Sequence, residues 1–159
     1  MTATIKSLYA SQDSMTCTIN SLASSATAGR ESTAVDNSSN LYLDALVFCR
    51  ISFPNSAPAN DKAVYLWGYG WDNSGLYTGG VTGSDAAYTR DDPTTLRLVG
   101  VIPIPTQNKG YYAGPFSVAA AFGGILPVKW GIVVQNYAGQ TLNSSNNTLT
   151  YVGVHAQSV

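Results

Sequence analysis

Residues 41–53 carry the clearest pattern in the chain, because Leu41, Leu43, Ala45, Val47, Cys49, Ile51 and Phe53 alternate with Tyr42, Asp44, Leu46, Phe48, Arg50 and Ser52. Period-two alternation sends successive side chains to opposite faces, so this stretch predicts a long strand with one face on a core. A helix would scatter the same residues around its circumference. Pro54 and the Asn55-Ser56-Ala57-Pro58 run that follows end the strand. The register places Leu41, Leu43, Val47 and Ile51 on the buried side.

Weaker versions of the pattern recur. Met15, Cys17 and Ile19 alternate with Thr16, Thr18 and Asn20, and Ala63, Tyr65, Trp67, Tyr69 and Trp71 oppose Val64, Leu66, Gly68 and Gly70. Leu96, Leu98, Gly100, Ile102 and Ile104 oppose Arg97, Val99 and Val101, with Pro103 and Pro105 marking a sheet edge. Residues 129–136 and 148–157 complete the series, with turn residues between them. Residues 116–122 fit a short helix by their alanines, or a strand by their tight Pro and Gly bounds. Seven to eight strands and no amphipathic helix predict an all-β protein, an antiparallel β-sandwich that is either a jelly roll or another sandwich. Residues 1–13 read as an N-terminal arm and residues 14–159 as one domain. Residues 24–40 and 72–95 are long for sandwich connections, so each is expected to be functional or packed on a neighbouring molecule.

Composition sharpens this picture at one point. Charged residues make up 11% of the chain, where about 25% is usual, and 17 Ser, 15 Thr and 11 Asn supply the polarity instead. Two readings fit: a neutral, loop-rich β protein, or a surface made for close contact in an assembly. All nine acidic residues lie at or before Asp92, and only Arg97, Lys109 and Lys129 are charged beyond it. The subunit is therefore either electrically polarised or, if folding mixes the halves, not. Eight basic residues with no cluster argue against nucleic acid. No apolar run is long and unbroken enough to be a membrane helix, and the first residues lack a signal-peptide core, so synthesis in a cytoplasm is expected. Cys17 and Cys49 read as small buried hydrophobes, with a disulfide as the alternative.

No catalytic or cofactor motif emerges. His155 is the only histidine and has no orienting partner in sequence, so it reads as a structural or interface side chain. One His and two separated Cys do not make a zinc spacing. The Asp72-Asn73-Ser74-Gly75 run lacks the alternating oxygen ligands and terminal Glu of a calcium loop, and Asp91-Asp92 reads as a solvated turn ahead of Pro93 rather than a cation site. The expectation is a protein without enzyme activity, cofactor or metal.

Contact chemistry is more visible. Tyr65, Trp67, Tyr69 and Trp71 form an aromatic row that serves a sandwich core, a protein interface or a carbohydrate platform. Arg30, Glu31 and Val35 put a fork-shaped donor, a carboxylate and an apolar contact within six residues of one loop. That mixture suits attachment across an interface, and an internal lock between Arg30 and a carboxylate is the competing reading.

Two phrases carry a family resemblance. One is Ala28-Gly29-Arg30-Glu31-Ser32-Thr33-Ala34-Val35-Asp36-Asn37 with Asn40-Leu41-Tyr42-Leu43-Asp44-Ala45-Leu46-Val47. The other is Gly114-Pro115-Phe116-Ser117-Val118-Ala119-Ala120-Ala121-Phe122-Gly123-Gly124 with Leu126-Pro127-Val128-Lys129-Trp130-Gly131-Ile132. Over residues 15–157 the chain resembles a family of small tailed-bacteriophage virion structural proteins. The resemblance implies a particle component, a capsid decoration (cement) protein or a tail accessory, that packs against itself, expected as a trimer, and against a major virion protein. The segment from Trp67 to Trp71 and the loop after it depart from the resemblance. They leave receptor attachment or glycan binding as the alternative function.

Overall fold

The computed structural model describes residues 4–90 and 95–158. Ten strands replace the seven or eight expected: β1 (Ile5–Ser14), β2 (Ala28–Glu31), β3 (Val35–Asp36), β4 (Asp44–Ser52), β5 (Ala63–Gly70), β6 (Ala86–Thr89), β7 (Arg97–Pro103), β8 (Gly110–Ser117), β9 (Lys129–Tyr137) and β10 (Thr148–Ser158). One helical turn, α1 (Val118–Ala121), follows β8. The Ser117 side chain accepts from the Ala120 N–H and caps it, which resolves the ambiguous alanine-rich stretch as strand end plus helix.

The strands form two antiparallel sheets, ordered β1-β10-β4-β8 and β6-β2-β9-β5-β7, with β3 also on β9. Setting aside β3 and β6, the chain crosses between sheets in the order of a jelly roll, in which each sheet interleaves early and late strands. Interleaving settles the charge question. The basic C-terminal part supplies β9 and β10, which lie inside sheets built from the acidic N-terminal part, and Lys129 pairs with Asp36 at 3.5 Å. The N-terminal stretch read as an arm lies along β10 as an edge strand, from Ile5 opposite Ser158 to Ser14 opposite Thr150.

Between the sheets sits one core. Ala45, Val47, Cys49, Ile51 and Phe53 are all buried there, as the alternation predicts. They meet Val64 and Leu66 of β5, Trp130, Ile132 and Val134 of β9, and Leu149 and Tyr151 of β10. Trp130 and Tyr151 join the sheets edge to face, with centroids 5.3 Å apart.

Three expectations need correction. Leu41 and Leu43 are 70% and 60% exposed, because β4 begins at Asp44 and Leu41 adopts a left-handed backbone, φ +52°, that breaks the alternation. Met15 and Ile19 are buried as expected, but residues 15–19 form no strand. Leu98 faces outward at 49% exposure, because a bulge opposite Leu66 and Trp67 inserts one residue into β7 and re-aims its N-terminal end.

The difference along one pattern is testable. Ile51→Ala should cost about 2–5 kcal/mol of unfolding free energy through lost burial and a residual cavity. Leu43→Ala should cost no more than about 0.5 kcal/mol, as for exposed positions generally. Denaturant melts of the two variants check this, and equal losses would contradict the break before Asp44.

Candidate functional site

The aromatic row of β5 points away from the core. Val64, Leu66, Gly68 and Gly70 face inward, which leaves Tyr65, Trp67 and Tyr69 on the outer face of the six-stranded sheet. Residues 72–90 of the long connection fold back as a flap onto this face, where Val81 and Tyr88 build a second, small core with Tyr69, Leu96 and Val133. Tyr69 is completely buried beneath the flap. Its ring lies over Gly131, where an added Cβ would sit 2.2 Å from the phenol oxygen, and its hydroxyl donates to the Ser32 carbonyl at 2.7 Å. Burial pushes this phenol well above its ordinary range. Trp71 sits at the flap's hinge, bridged to Tyr77, with Lys129 Nζ 4.6 Å from its ring centroid.

Glu31 is buried and Arg30 half-buried, and both bond within the chain, as the internal-lock reading of Arg30 expects. Arg30 Nε donates to Asp85 Oδ1, and a second guanidinium nitrogen donates to the Asp85 carbonyl. Glu31 is 1% exposed and accepts from the Thr82 N–H, the Thr82 hydroxyl and the Gly83 N–H. Together they fasten the flap to β2, since a buried carboxylate needs its acceptor sites filled. Val35 is half-buried against the main core, opposite Trp130. Burial alone would raise the Asp85 carboxyl, but hydrogen bonds from Arg30 and Thr18 outweigh it and hold the group at about 2.

Tyr65 and Trp67 stay half-exposed, Trp67 packing along one side against the flap's core. Their rings stack at 6.0 Å and 27°. Trp67 Nε1 donates to Gln135 Oε1 at 2.9 Å, and the Tyr65 hydroxyl donates to Asp61 at 2.8 Å. With Arg90 and Tyr137 these residues line a hollow of about 300 Å³.

A second surface, not anticipated from sequence, lies at one end of the sandwich. Leu41, Leu43, Ile125 and Val128 are exposed together around a cleft of about 590 Å³ with Asn37, Ser38 and Tyr42. Asn37 builds it. Its Oδ1 accepts from the Tyr42 N–H, its Nδ2 donates to the Tyr42 carbonyl, and its own carbonyl accepts from the Leu41 N–H. This clamp holds Leu41 left-handed, a conformation that disfavours branched apolar side chains and clusters at functional positions. Asn37 four residues before a Leu-x-Leu phrase is a faint sequence signal for it.

The remaining candidates are structural. His155 stacks on Tyr42 at 5.9 Å. The Asp72 carboxylate accepts from Ser74 and Leu76 within its own turn. Asp91 and Asp92 lie outside the described residues. Among the described residues no group of three or more His, Cys, Asp or Glu could hold a metal, and no helix is long and apolar enough to cross a membrane. Both cysteines are free thiols; burial pushes Cys49 up to about 12 and Cys17 higher still. These features define a jelly-roll β-sandwich with an open cleft at one end and an open hollow on its outer face. No family model, curated protein or solved structure matches the chain.

The flap lock has a pH signature. Asp85 has a lower pKa folded than its ordinary 3.8, so its contribution is complete above about pH 4 and is lost as pH falls through 2. Allowing for solvent screening, about 1–2 kcal/mol should disappear over that window, and Asp85→Asn should flatten this part of the stability profile. Arg30→Ala should cost about 1.5–3 kcal/mol at neutral pH, read as a lower melting temperature.

Proposed function

We propose that this protein is a non-catalytic structural component of a tailed-phage virion, of the capsid decoration (cement) type. It acts by packing against copies of itself and against a major virion protein. The observation that carries the reading is the end patch. Four exposed aliphatic side chains converge there, and one of them is held in a backbone conformation that a leucine does not adopt without support. Exposed apolar clusters on soluble proteins mark contact sites, and a surface poor in charge offers little repulsion to close packing. The jelly roll supports the reading as an analogy of architecture, because viral capsid domains use it, as lectins do. Self-association is part of the same proposal, as a trimer at symmetry axes of the particle.

Mass spectrometry of purified particles tests residence in the virion, and its absence there would overturn the proposal. Leu41→Asn tests the patch. Asparagine tolerates the left-handed region, so the isolated protein should melt within a few degrees of the wild type or above it. Incorporation into particles should fall severalfold. Unchanged incorporation would remove the patch from the contact, and sedimentation showing only monomer would remove self-association.

A further inference from the structure

Strand register assembles the outer-face hollow into more than an aromatic pair. Tyr65 lies opposite Gln135 on β9 and Val101 on β7, Trp67 opposite Leu98, and Ala63 opposite Tyr137. Directly paired residues share a face, so Tyr65, Trp67, Tyr137, Leu98 and Val101 make one platform. The flap's small core, centred on Tyr69, Tyr88 and Val133, covers the next positions of the sheet and stops short of Tyr65. One end of the outer face is therefore closed and the other open.

The open end is already ordered. Gln135 fixes the Trp67 indole through one amide end and donates through the other to the Ser25 and Ala26 carbonyls. Asp61 fixes the Tyr65 ring by its hydroxyl. The Arg90 guanidinium lies over Trp67, 5.3 Å from the ring centroid. Rings held this way lose little further freedom when a ligand arrives.

We propose that this hollow binds a glycan through a neutral pyranose ring. The ring's C–H face would lie on Tyr65, its hydroxyls donating to Asp61 and accepting from Arg90. The chemistry separates this hollow from the end patch. A protein anchor favours an apolar hole ringed by polar groups, and the uncharged cleft at Leu41 has that character. Here a carboxylate, a guanidinium and a phenol hydroxyl stand within the hollow beside the aromatic surface, matching a ligand that is apolar on one face and hydroxylated around its edge. A volume of about 300 Å³ suits one or two sugar rings. The inference goes beyond packing in a particle and does not depend on it.

The test uses the full chain with a panel of glucose, galactose, mannose and N-acetylglucosamine, and an array of bacterial polysaccharides. Binding is followed by saturation-transfer NMR and tryptophan fluorescence. At least one probe should bind in the millimolar range or tighter. Tyr65→Ala and Asp61→Asn should each weaken it at least about tenfold, with melting temperatures within a few degrees of the wild type and particle incorporation unchanged. Leu41→Asn should leave sugar binding intact. Three outcomes would overturn the proposal. The whole panel and array could be blank, or sugar binding could survive Tyr65→Ala. The third is loss of particle incorporation in Tyr65→Ala when the wild type binds no sugar, which would make the hollow a protein interface.

Discussion

Strand β9 has seven consecutive buried residues, from Trp130 to Asn136, where a sandwich strand with one solvated face would alternate. Its inner side chains meet the main core, while on the outer side Gly131 lies under Tyr69, Val133 meets the flap and Gln135 bonds to Trp67 and the Ser25 and Ala26 carbonyls, so the strand is covered on both sides. That cover organises the six-stranded sheet. Glu31 adds to the flap's apolar burial by accepting three hydrogen bonds from its backbone and a threonine. Arg30, the residue before it on β2, points to Asp85 and ties down a second point of the same flap. Two adjacent residues on a four-residue strand thus hold the flap closed over part of the outer face of β9.

This use of charge also bears on the surface. The chain has 17 charged residues, and several act within the fold. Arg30, Glu31 and Asp85 lock the flap. Asp44 accepts from the Ser117 hydroxyl and the Ala119 N–H and so fixes the turn at α1. What remains outside is sparse, and a surface with little repulsion tolerates close neighbours. Low charge and an internally spent charge set are two sides of one composition.

The period-two pattern of residues 45–53 was legible because β4 meets one core on one face, and β10 alternates for the same reason, whereas β9, covered on both sides, was legible as an apolar run between turns. The flap was not. Its strand β6 has four residues, and what holds it is a pair of long-range polar contacts that leave no periodic trace. Arg30 and Glu31 were visible as unusual residues, but their partners lie about 50 positions away, so inward and outward roles looked alike. Leu41 was misplaced because hydrophobic alternation carries no information about backbone handedness, which Asn37 decides. The aromatic row was legible as a row. Which of its members lie open depends on where the flap stops, and that is a tertiary fact.

The two open surfaces differ in how they are made. At the end patch, one asparagine side chain holds a backbone in a left-handed turn and the exposed groups are aliphatic, so the surface gains only when something excludes water from it. At the outer hollow, the Tyr65 and Trp67 rings already have polar partners, so the surface gains through directional contacts added to those. A single jelly roll can carry both because its sheet faces and its ends are built by different segments. The flap sets the limits of the face, while the turns before β4 and after α1 set the end.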